Sequence, residues 1–138
     1  MALNFVFLKR EDLVAHMFET FVDDDDVEDE AALEQIEGQQ IARVKTKLRQ
    51  RYDVDAVFAA VDPDRDPEVV KHLTALVCYY MVRRNAPRKI PSDYKDEKKL
   101  ADKWLEDVRN GIEVPNLPKI DTRKELLWGN IGNDDYLF

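Results

Sequence analysis

The chain holds one cysteine and two histidines, and these are the only side chains of their kind from which nucleophilic or zinc chemistry could be built. Cys78 lies inside the apolar run Leu76-Val77-Cys78-Tyr79-Tyr80. A thiol nucleophile needs a base beside it. His72 falls on the other side of the same helical stretch, and His16 is remote in sequence. Cys78 therefore reads as a small hydrophobe packed in a core, and a zinc site lacks ligands. The run Asp23-Asp24-Asp25-Asp26-Val27-Glu28-Asp29-Glu30 has the carboxylate density of a calcium loop. It lacks the alternation of ligands and the turn glycine that such a loop needs, so a solvated acidic loop is expected. No glycine-rich loop precedes a helix, which removes a phosphate cradle. The expectation is a protein without catalytic residues, cofactor or metal.

The residues with unexplained chemistry are apolar. Ile112 to Phe138 shows no helical or strand period, yet carries Leu117, Ile120, Leu126, Leu127, Trp128, Ile131, Tyr136, Leu137 and Phe138. Tails that never order are poor in such side chains, since nothing offsets the entropy of fixing them. This tail either wraps its own body or docks on another chain, and docking is the expectation. Leu126, Leu127, Trp128, Ile131, Tyr136, Leu137 and Phe138 are the candidate anchors, with Trp128 the most suited.

Five elements must position that tail, all helical. A short helix is expected from Arg10 to Phe18, with Leu13, Met17 and Phe18 inward, followed by an acidic loop over 20–29. A long helix from about Glu30 to Tyr52 repeats Leu33, Ile36, Gln40, Ile41, Val44, Leu48 and Tyr52 at three- and four-residue spacing. Gly38 within it suggests a close helix crossing. Val54–Ala60 turns Val57 and Phe58 inward. Asp66-Pro67 opens the next long helix, with a cap and a first-turn proline. Val69, Val70, Leu73, Leu76, Val77, Tyr80 and Met81 make that helix apolar nearly all round, hence central and buried; it stops before Pro87. The last helix runs from about Ser92 to Asn110, with Tyr94, Ala101, Trp104, Leu105 and Val108 on one face. Gly111 ends it. The fold expected is all-α, a small bundle of four to five helices over residues 1–116, with an extended docking tail over 117–138.

The 138 residues suit one domain, and a hydrophobic fraction of 44% supplies a core. A lone cysteine fits a reducing compartment, the opening 1–8 is too short for a signal segment, and no stretch has membrane-spanning length. Net charge is −8, which opposes general binding to nucleic-acid phosphates. The charge is uneven. Twelve acids and no base lie between Glu11 and Glu37, and five bases and no acid between Arg43 and Arg51. Helix-dipole complementarity accounts for this pattern, and so does a head-to-tail contact between subunits of a ring. A basic knuckle of Arg83, Arg84, Arg88 and Lys89 follows. It either complements a helix end, meets a neighbour's Asp23, Asp24, Asp25 and Asp26, or touches DNA phosphate.

Several of these stretches together resemble a known family. Phe7-Leu8-Lys9-Arg10-Glu11-Asp12-Leu13, the acidic loop, and the long helix ending Leu48-Arg49-Gln50-Arg51-Tyr52 resemble the opening of tailed-phage head–tail adaptor (head-completion, or connector) proteins. Leu76-Val77-Cys78-Tyr79-Tyr80, Arg84-Asn85-Ala86-Pro87-Arg88-Lys89-Ile90-Pro91 and Leu100-Ala101-Asp102-Lys103-Trp104-Leu105, then Val108, Gly111 and Leu117-Pro118, continue the similarity. The resemblance implies a virion structural protein, made in the host cytoplasm and assembled as a ring, commonly of twelve copies, beneath the portal at the head–tail interface. Its implied partners are the portal protein, neighbouring copies and a tail-proximal connector or tail protein, with DNA only as cargo in the channel. An acidic helical interaction module (a regulator or DNA mimic) and a tail-side completion or stopper protein are the alternatives. The charged loop and the strongly apolar tail depart from the family pattern.

Overall fold

The computed structural model describes residues 5–15, 27–85 and 88–120. Among the described residues there are five helices: α1 (Arg10–Val14), α2 (Val27–Leu48), α3 (Val54–Ala59), α4 (Pro67–Asn85) and α5 (Ser92–Arg109). The fold is an all-α bundle. Among the described residues the only β pairing is an isolated antiparallel bridge between Tyr52 and Lys119.

Local chemistry starts and stops these helices. Asp66 Oδ1 accepts the backbone N–H groups of Glu68 and Val69 at 2.9 and 3.1 Å, satisfying donors that α4 leaves open behind Pro67. Asp53 does the same for α3 through the N–H of Ala56 at 3.2 Å. At the end of α5, Gly111 adopts φ +79°. Its N–H donates to Val108 O at 3.2 Å and that of Ile112 to Asp107 O at 2.8 Å, the paired bonds of a Schellman stop.

α4 is the centre. Val69, Leu73, Leu76, Val77, Cys78 and Met81 are buried, packed between α2 and α5. Leu33, Ile41, Val44 and Leu48 of α2 and Ala101, Trp104, Leu105 and Val108 of α5 close the core around it. Ion pairs rise in step along α2 and α5: Arg43 with Asp102 at 2.9 Å, and Lys47 with Glu106. These two helices therefore run parallel. His72 stacks on Trp104 and Lys98 sits over Tyr79 and Tyr80, so α4 runs antiparallel to both. The starts of α2 and α5 thus share one end of the bundle with the end of α4.

Three expectations change. α2 begins at Val27 and ends at Leu48, earlier at both ends than read from sequence. Beyond Leu48 the chain turns, with Arg51 and Tyr52 N–H both donating to Leu48 O at 3.1 and 3.0 Å, and then pairs with residues 118–120: Asp53 N–H donates to Pro118 O at 2.8 Å and Ile120 N–H to Arg51 O at 3.3 Å. Those bonds, with buried Leu117, also attach residues 117–120 of the expected tail to the body, and 121–138 lie outside the described residues. Gly38 marks no close crossing; a methyl group there would meet nothing within 4 Å. The short first helix is Arg10–Val14, and Met17 and Phe18 lie outside the described residues.

Candidate functional site

Two charged side chains missed by the sequence reading organise one flank of the bundle. Glu37 lies on the inward stripe of α2 between Leu33 and Ile41 and is only 1% exposed. Its carboxylate accepts three consecutive backbone N–H groups: Val6 on Oε1 at 2.9 Å, then Phe7 and Leu8 on Oε2 at 2.9 and 2.8 Å. An extended segment cannot complete its own ladder, and here a buried anion replaces the missing strand. Arg65 closes the other side. Its guanidinium donates to Phe7 O at 3.1 Å, to Asp12 Oδ2 at 2.7 Å and to Asp62 Oδ1 at 2.8 Å. The Phe7 ring meets Phe58 edge-on, with centroids 5.0 Å apart. Hydrogen bonds from Arg65 and then Lys9 hold the Asp62 carboxyl below its ordinary range. An acid at a core-facing position of the α2 stripe was the available signal for Glu37. Arg65, between Asp64 and Asp66, gave none.

The basic run of α2 is engaged inside the molecule. Arg43 and Lys47 bind α5 as above, Lys45 approaches Asp55 at 3.5 Å, and Arg51 Nε donates to Arg109 O at 3.3 Å. Arg51 thus covers the carbonyl end of α5, where a cation is favoured. These contacts are mostly solvent-exposed, so they set register between helices more than they stabilise them. Hydrogen bonding to Lys47 keeps the Glu106 carboxyl below its usual range.

Of the candidate contact residues, Arg83, Arg84, Arg88 and Lys89 are exposed at the end of α4. Asp23, Asp24, Asp25 and Asp26 lie outside the described residues, as do the tail positions Leu126, Leu127, Trp128, Ile131, Tyr136, Leu137 and Phe138. By connectivity Asp26 adjoins Val27, so the acidic run joins α2 at the same end of the bundle as the knuckle.

Cys78 and His72 make no catalytic pair. They stand six residues apart on α4, about 9 Å along its axis. His72 stacks on Trp104 of α5, and Cys78 is buried in the core. Burial, then the nearby Glu97 charge, pushes the Cys78 thiol up to about 12, which leaves it protonated. Burial, then Lys71, pushes the His72 imidazole down to about 4, and its ring lies 4.6 Å from Trp104. Both groups belong to the core.

At the opposite end of the bundle from the knuckle, a cleft of about 360 Å³ opens between Gln50, Arg51, Tyr52, Gly111, Glu113, Val114, Lys119 and Ile120. Arg51 is part of its lining. Its guanidinium lies so close to Gly111 that a side-chain carbon there would come within 3.2 Å of Nη2.

Fold and site together define a small all-α bundle with a charged knuckle at one end and a cleft at the other. No family model, no curated protein and no solved structure matches the chain.

Proposed function

We propose that the chain is a virion structural protein of the head–tail connector kind, a non-catalytic helical body that packs side by side in a ring under the portal and joins head to tail. The observation that carries this reading is the composition of the tail. Among the described residues the buried cluster runs from Phe7 to Leu117, and backbone bonds hold the chain through Ile120. Eighteen more residues follow in the sequence, rich in large apolar side chains. Side chains of that kind suit a partner's surface, and the portal or an adjacent subunit supplies one. The exposed Arg83, Arg84, Arg88 and Lys89 then serve lateral contacts.

The test is native mass spectrometry of the full chain, alone and with purified portal from the same genome. Stoichiometric capture on the portal, or a high-order ring, is expected. No association under either condition, at micromolar concentration and modest salt, overturns the reading and favours the acidic interaction module.

A further inference from the structure

The arm formed by residues 5–15 meets the body through a self-contained contact. Phe7, Leu8 and Leu13 are buried, and among the described helices α1 packs on α4 alone. The polar part of the contact is made by body side chains against the arm's backbone. Glu37 accepts the N–H groups of Val6, Phe7 and Leu8, and Arg65 donates to Phe7 O. Arg65 also holds Asp12 at 2.7 Å and stands 5.7 Å from the centre of the Phe7 ring, while Lys9 pairs with Asp62. An apolar side chain at position 37 would fill the α2 stripe as Leu33 and Ile41 do. A buried carboxylate is costly unless donors saturate it, and what it adds is register, since three consecutive N–H groups meet it in one alignment of the arm. That device suits a segment that has to find its seat on a separate body.

We propose that neighbouring copies exchange this arm, residues 5–15 of one seating on the Glu37–Arg65 socket of the next. The contact is the same bond for bond whether arm and socket belong to one chain or to two, so exchange leaves every core complete. Eleven residues, 16–26, stand between arm and α2. Fully extended, they span on the order of 40 Å, against roughly 30 Å for the diameter of a small domain. A neighbour's socket is therefore within reach. Bodies of net charge −8 also need a buried tie, because exposed ion pairs such as the knuckle can offer contribute little. Exchange turns the buried Phe7, Leu8 and Leu13 from a contact within a copy into one between copies. This inference rests on the side-by-side packing of the connector reading and names the part that would fasten it.

The experiment uses the unaltered full-length protein in light and heavy-nitrogen pools. The pools are mixed in denaturant, refolded together at about 1 mM, the order of a short tether's effective concentration, and diluted to micromolar immediately before coupling. Lys9 and Asp62 touch and are each half-exposed, so a carbodiimide joins them by an amide bond in either arrangement. Mass spectrometry of the tryptic peptides then reads the labels on the two ends of each Lys9–Asp62 link. Exchange predicts links of unlike label, approaching half of the total, on species of twice the monomer mass or more. Links of like label only overturn the inference, whether or not the protein has associated. Association itself, alone or on the portal, judges the connector reading, so a ring with like-label links refutes the exchange and leaves the ring.

Discussion

Replacing Glu37 by alanine should be the most damaging single change on the surface-to-core boundary of this protein. The carboxylate accepts the N–H groups of Val6, Phe7 and Leu8 within 2.9 Å, and Phe7 and Leu8 are each 4% exposed. After substitution the chain has two courses. If the segment stays docked, three donors lose their acceptor. Phe7 and Leu8 lie too deep for water to reach theirs, and each orphaned group costs about 1–3 kcal/mol. If the segment lets go, the donors hydrate but two large side chains leave the core, at about 1.5–3 kcal/mol each. The first course costs about 2–6 kcal/mol and the second about 3–6 kcal/mol, and the protein follows the cheaper one. Against a typical domain stability of about 5–15 kcal/mol, that is a large fraction.

Urea denaturation gives the magnitude and amide hydrogen exchange tells the two courses apart. Release of the segment predicts loss of protection at Phe7 and Leu8 with α4 unchanged; retention predicts a uniform drop. Glu37→Gln keeps the shape and one acceptor oxygen but turns an NH₂ toward a backbone donor, so a smaller loss, about 1.5–3 kcal/mol for one charged hydrogen bond, is expected. A cost under about 1 kcal/mol for Glu37→Ala, with protection at Phe7 and Leu8 intact, would refute the account of the anion as a surrogate strand.

Two further outcomes follow from single positions. Gly38→Ala and Gly111→Ala should move stability in opposite directions: Gly38 is helical with open space at its Cβ, so alanine gains about 1 kcal/mol, whereas Gly111 at φ +79° against Arg51 loses about 1–2 kcal/mol, both read by thermal melting. The His72 imidazole ordinarily titrates at 6.5 and at about 4 when folded, so below pH 6.5 the unfolded chain binds the proton first. Stability is then complete above pH 6.5 and falls as pH drops toward 4, by at most about 3 kcal/mol; His72→Phe should flatten that limb of a stability-versus-pH curve, while Asp62 and Glu106 lose their contributions only at lower pH.

Much of this architecture was legible where one signal dominates locally. Asp66-Pro67 announces α4 because a cap and a proline can hardly coincide in another structure, and an all-round apolar run can only be central. The α2 stripe was equally plain, but its ends were not. Nothing local in Arg49-Gln50-Arg51-Tyr52 opposes a helix; the pairing of Arg51 and Asp53 with residues 118–120, remote in sequence, is visible only in the fold. In the sequence Glu37 is one of twelve acids between Glu11 and Glu37, yet it occupies the place of a core residue between Leu33 and Ile41. An acid inside an apolar stripe is better read as a buried acceptor in search of donors. Arg65 was illegible, since its three acceptors, Phe7, Asp12 and Asp62, converge only after folding. The five-base run from Arg43 to Arg51 admits a helix-dipole or an intermolecular reading, and four of those bases bind α3 or α5 within the chain.

That last correction narrows how copies of this body could meet. A net charge of −8 makes bodies repel at long range, so a lateral contact needs local attraction. With the α2 cations engaged, the exposed basic cluster left for it is Arg83, Arg84, Arg88 and Lys89 at the end of α4. Antiparallel packing puts the start of α2, which Asp26 precedes in sequence, at the same level of the bundle as that cluster. Opposite charges at opposite ends would stack bodies along their length and build a filament. Opposite charges at one level, on different helices, attract neighbours side by side, and a constant rotation between such neighbours closes into a ring. On the connector reading, the far end of each body, with its cleft and departing tail, then faces along the ring axis. A tail that must reach a partner above or below the ring leaves from the end that points toward it.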